Sequence, residues 1–93
     1  MNFIYRIHAI ERLFERDISE DDVENSIKNA KIIEEYLEDK PHPSFLALGY
    51  ESKDLKKPLH VVFAKDGEDI IIITAYRPDK TKWTNHYQTR ITI

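Results

Sequence analysis

His8, Arg12 and Arg16 recur every four residues, so on a helix they stack along one face. A second group, His60, Tyr76, Arg77, Trp83, His86 and Arg90, lies in the C-terminal half. Guanidinium forks bind phosphate oxygens in pairs. Aromatic rings stack on unpaired bases, and an imidazole or a phenol can move the proton of a ribose hydroxyl. Such a set suits metal-independent cleavage of RNA. A base takes the 2′-hydroxyl proton, the oxygen attacks the neighbouring phosphate, and arginine holds the developing charge. His8, Arg12, Arg16, His60 and Tyr76 are the catalytic candidates; Arg77, Trp83 and Arg90 are candidates for holding RNA.

Other chemistries lack their residues. With only Gly49 and Gly67 there is no glycine loop to cradle a nucleotide. His8, His42, His60 and His86 are scattered without metal-ligand spacing, and cysteine is absent. Nothing resembles a nucleophile elbow. No cofactor and no metal are expected.

Each candidate also has a plainer role. His60 alternates with strand core residues and fits a buried imidazole with its hydrogen bonds satisfied. Arg12 and Arg16 have Glu11, Glu15 and Glu20 as surface partners. Tyr76 and Trp83 suit core or rim packing, and His86 and Arg90 suit plain surface.

The element that must position these groups is the stretch Leu59–Tyr76. Asp66-Gly67 between two β-branched runs predicts a hairpin, because Gly accepts the positive φ of a tight turn. Ile70 to Ile73 leave no polar face, so that strand is expected to lie centrally, buried on both sides.

Upstream, Ile7, Ile10, Leu13 and Phe14 predict a helix over Ile7–Glu15 with an apolar stripe. Ser19 is the expected N-cap of a second helix, with Asp22 in the capping-box position and Ile18 and Val23 as a hydrophobic staple. Val23, Ile27 and Ala30 form its predicted buried stripe. Ile32–Leu37 is read as an edge strand and Asp39–Pro43 as a loop. Ser44–Glu51 is read as a strand with Phe45, Ala47 and Gly49 on one face. Tyr87, Thr89, Ile91 and Ile93 alternate as a last strand. Two helices followed by four or five strands indicate an α+β domain, with the helices packed on one face of an antiparallel sheet.

Ninety-three residues make one domain, 1–93. A 41% hydrophobic and 33% charged composition is globular. The absence of cysteine fits a reducing interior, and no apolar run approaches a membrane span, so the expected place is the cytoplasm. The net charge is −3, but residues 1–40 carry 11 acids and 6 bases, whereas residues 41–93 carry 6 acids and 8 bases. The acidity belongs to the N-terminal part and the sheet part is slightly basic.

The run H-A-x-x-R-x-x-x-R at His8–Arg16, followed by Ile18, Ser19 and Val23, resembles a family of small prokaryotic domains of unknown function. Pro58-Leu59-His60-Val61-Val62, Ile72-Ile73-Thr74-Ala75-Tyr76-Arg77-Pro78-Asp79 and Trp83 continue the likeness over about residues 6–90. That family is similar to RelE- and BrnT-like toxins of type II toxin–antitoxin systems. The resemblance implies N-terminal helices on a curved antiparallel sheet. It also implies an endoribonuclease acting on mRNA and neutralised by a cognate antitoxin. His8, Arg12, Arg16, His60, Tyr76 and Trp83 are the residues it carries over. The rival expectation is a non-catalytic protein- or RNA-binding module on a degenerate toxin fold. Oligomeric state stays open.

Overall fold

A computed structural model describes residues 1–29 and 31–91. The order is β1 (Asn2–Tyr5), α1 (Ile7–Arg16), α2 (Glu20–Asn29), β2 (Lys31–Tyr36), β3 (Ser44–Tyr50), β4 (Pro58–Asp66), β5 (Asp69–Tyr76), β6 (Trp83–Thr84) and β7 (Thr89–Arg90). The main sheet runs β1-β5-β4-β3-β2, and β6 and β7 pair separately. The class is α+β.

The predicted hairpin forms, with Gly67 at φ +60° in its turn. β4 is the central strand and β5 lies beside it. Ile70, Ile71 and Ile72 are buried, but Ile73 is 45% exposed. The cause is a bulge: Val62 faces Thr74 and Phe63 faces Ile72, so Ile73 is the extra residue without an opposite partner.

The sheet is mixed rather than antiparallel throughout. β2 to β5 pair antiparallel, whereas β1 lies parallel to β5, with Asn2 opposite Asp69 and Tyr5 opposite Ile72. Four residues carry too short a period-two signal to separate β1 from irregular chain.

β2 is an edge strand as expected. Ala9, Leu13, Ile18 and Val23 share one buried cluster with Ala47, Leu59, Val61, Phe63, Ile72 and Ala75. These sheet residues fall on one face by register, so the two helices cover that face, α1 over β5 and α2 over β3 and β4. α1 turns a different side inward from the one expected. Ala9 and Leu13 are buried, while Ile7, Ile10 and Phe14 are exposed, Phe14 by 87%. The small Ala9 is the side chain that lets the helix come close to β5.

Ser19 caps α2: its Oγ accepts from the Asp22 N–H at 3.1 Å. Ile18 and Val23 are both buried beside it. Ser19→Ala is expected to cost about 1 kcal/mol in urea unfolding; an unchanged midpoint would remove the cap from the account. Of the predicted α2 stripe, Ala30 lies outside the described residues. The last strand is shorter than expected, because Tyr87 belongs to the β6–β7 turn, and Ile93 also lies outside the described residues.

Candidate functional site: the sheet face opposite the helices

One register row crosses the sheet on the side away from the helices: Lys31, Leu48, His60 and Tyr76 stand opposite one another in turn. Glu34 and Tyr36 on β2 and Thr74 on β5 share that side by register. The β6–β7 hairpin closes over it. The Trp83 ring stands edge-on to His60 with centroids 4.4 Å apart, and the Tyr76 ring does the same at 5.3 Å.

His60 is fully buried, at 0% exposure. Its Nε2 lies 2.9 Å from the Tyr87 carbonyl and its Nδ1 lies 3.3 Å from the Tyr76 hydroxyl. A carbonyl only accepts, so Nε2 carries the proton and Nδ1 is left to accept from the Tyr76 O–H. The turn that holds the carbonyl in place is costly. Asn85, His86 and Tyr87 all have left-handed backbones, at φ 53°, 55° and 66°. Asparagine tolerates that region, whereas His86 and Tyr87 each cost about 1–2 kcal/mol there.

Burial pushes the His60 pKa below its ordinary value, against the raising effects of the Tyr87 hydrogen bond and the Glu34 charge. The folded imidazole is therefore neutral where the unfolded one still binds a proton. Stability rises with pH across that window and is lost as pH falls below the ordinary histidine value of about 6.5. Urea unfolding between pH 7.5 and pH 5 should show this slope in the wild type and lose part of it in His60→Gln. Equal slopes in the two proteins would refute the assignment.

Tyr76 has its pKa raised, chiefly by burial and against the pull of Arg90, so its phenol is protonated at neutral pH. Arg16, at the end of α1, reaches the part of β5 that β1 leaves uncovered. Its Nη1 donates to the Thr74 hydroxyl at 3.1 Å and to the Ala75 carbonyl at 2.8 Å. Arg90 lies on the Trp83 ring, 4.7 Å from the centroid, and pairs with Glu34 at 3.0 Å. Burial pushes the Glu34 carboxyl up, but hydrogen bonds with Arg90 and Tyr36 outweigh it and hold it below the usual carboxylate range.

The structure thus brings together Arg16, His60, Tyr76, Trp83 and Arg90. It does not bring His8 and Arg12 to them. The His8 side chain is 90% exposed and 3.8 Å from Glu11, and Arg12 pairs with Glu15 at 3.3 Å. A helix turns about 100° per residue, so the four-residue row drifts, and only its last member reaches the sheet.

Arg77 ties the molecule together instead. It donates to the Arg16 carbonyl at 2.5 Å and the Asp17 carbonyl at 3.1 Å, and it grips Glu51 at 2.8 and 3.1 Å. A cation that satisfies the last carbonyls of a helix also complements its dipole.

Glu34, Tyr36 and Tyr87 belong to the cluster and carried no signal in the sequence, since Glu34 meets Arg90 across 56 residues and Tyr87 meets His60 across 27. Among the described residues, no three His, Asp or Glu side chains gather as a metal site. No helix of the structure is long and apolar enough to cross a membrane.

No curated protein and no solved structure matches the chain. A family described as "Domain of unknown function (DUF4258)" matches residues 5–77, from the end of β1 to Arg77. That span holds both helices, the whole β2–β5 sheet, and Arg16, His60 and Tyr76, while Trp83 and Arg90 fall beyond it. The chain belongs to the family of the domain of unknown function DUF4258.

Proposed function

We propose that this chain is a RelE- or BrnT-like toxin of a type II toxin–antitoxin system, a cytoplasmic, metal-independent endoribonuclease acting on mRNA. The observation that carries the reading is the Tyr76–His60 pair beside Arg16. The imidazole is held as the tautomer that accepts from the phenol, and the phenol oxygen keeps lone pairs for a substrate hydroxyl.

Cleavage would use this pair as a relay. The ribose 2′-hydroxyl gives its proton to the Tyr76 oxygen while the Tyr76 proton passes to His60 Nδ1. The 2′-oxygen bonds to phosphorus, the 5′-oxygen leaves and takes a proton from water, and a 2′,3′-cyclic phosphate remains. The new imidazolium returns its proton to solvent through the phenol. The Glu34 carboxylate favours that transient charge. Arg16 uses only Nη1 in its protein bonds among the described residues, so Nη2 and Nε serve the phosphate. His8 and Arg12 take no part in the chemistry.

An antitoxin would dock on α1, where Ile7, Ile10 and Phe14 present an exposed apolar row one to two turns long. The same row favours the second reading, a module that only binds a protein.

The test is incubation of purified protein with RNA in EDTA, read on a denaturing gel, beside Arg16→Ala and His60→Ala variants. The wild type is expected to cut and to leave cyclic phosphate ends, with Arg16→Ala slower by about 10²–10³-fold. Intact RNA with the wild type would remove the nuclease and leave the binding module.

A further inference from the structure

A cavity of about 440 Å³ opens between the C-terminal half of α2 and the end of β3. Its size lies in the range of about 300–1,000 Å³ usual for small-ligand sites. In a chain of net charge −3, its lining among the described residues holds two ammonium groups, Lys31 and Lys53, and no carboxylate. Such a lining selects an anion.

The remaining groups select what the anion is attached to. Asn25, Asn29 and Gln88 place three amides on the wall. Asn29 donates one of its two side-chain N–H groups to the Asn25 backbone carbonyl at 3.1 Å, and its side-chain oxygen accepts no hydrogen bond among the described residues. Amides pair a donor with an acceptor, which is the pattern a nucleobase edge presents. Tyr50, an aromatic residue of the type that stacks on bases, lines the cavity with Leu48 and Leu55. Ser26, on the same wall, is 2% exposed and its hydroxyl has no hydrogen-bond partner among the described residues. A buried polar group without a partner is uncommon.

No member of the cluster described above lines the cavity, but two of its lining residues lie on the cluster's register row. Lys31 and Leu48 begin the register row that continues through His60 to Tyr76. Three strand spacings separate Lys31 from Tyr76, about 14 Å. Gln88 follows Tyr87, whose carbonyl fixes the His60 tautomer.

We infer that this cavity is a ribonucleotide subsite, seating the base and phosphate of a nucleotide near the one being cut. The inference rests on the nuclease reading for its role but not for its binding. The test is titration of the whole protein with 5′-AMP, followed by backbone amide shifts, with inorganic phosphate as the comparison ligand. Saturable shifts at Lys31, Tyr50 and Gln88 are expected, with phosphate at least about tenfold weaker. The double variant Lys31→Ala/Lys53→Ala, at two exposed positions, should weaken 5′-AMP about tenfold or more. Shifts confined to Arg16 and Tyr76, no saturation, or unchanged affinity in the lysine variant would each overturn the subsite. RNA cut by a protein that does not bind 5′-AMP removes the subsite alone. 5′-AMP bound at the cavity of a protein that leaves RNA intact removes the nuclease alone.

Discussion

Tyr76→Phe slows RNA cleavage by about 10²–10⁴-fold, the range a positioned acid–base group supplies. The substitution deletes one oxygen. It leaves the ring packed edge-on against His60, with the centroid distance of 5.3 Å undisturbed. Only the O–H donated to Nδ1 is lost. The orphaned ring nitrogen costs about 1 kcal/mol or somewhat more in stability. A protein of this size remains folded after such a loss, so single-turnover rates and unfolding midpoints separate the two effects. The rate should fall by orders of magnitude while the midpoint moves a few degrees. A Tyr76→Phe protein that cuts RNA within threefold of the wild-type rate would end the relay.

Gly49→Ala destabilises the fold by about 3 kcal/mol or more, at the upper end of overpacking costs. A Cβ at Gly49 would overlap the Oγ and Cβ of Ser26 and lie 2.6 Å from its Cα. The obstacle is the backbone of α2 itself, so no rotamer change relieves it. Even Ser26→Gly leaves the Cα in place and should not restore stability. Against a total of about 5–15 kcal/mol for an ordinary domain, this is a large fraction. Thermal unfolding should move down by roughly 12 °C or more, at about 4–8 °C per kcal/mol for a domain of this length. A shift under 3 °C would mean that α2 does not sit on β3 as described.

Much of the architecture was legible in local chemistry. Asp66-Gly67 between β-branched runs specifies a hairpin because the turn needs a positive φ that Gly accepts freely. Ser19 with acids behind it specifies a helix start because the first N–H groups need an acceptor. The residue types of the site were legible too, since phosphate chemistry draws on arginine, histidine and tyrosine wherever they lie. The four-residue spacing of His8, Arg12 and Arg16 placed them on one helix, but it could not say which of them meets the sheet.

The tertiary structure decided the rest. Arg90 finds Glu34 across 56 residues, Arg77 finds the end of α1 across about 60, and His60 finds the Tyr87 carbonyl across 27. No local period encodes such pairings. They follow from which strand lies beside which, and from the bulge at Ile73 that resets the register of β5. The short β1 pairs with a strand some 67 residues away, and its signal exists only in that pairing. Composition and local spacing therefore determined the element order and the chemistry on offer. Burial and strand order determined that Arg16, and not His8 or Arg12, stands beside Tyr76, because side chains far apart in sequence become neighbours only when the sheet packs.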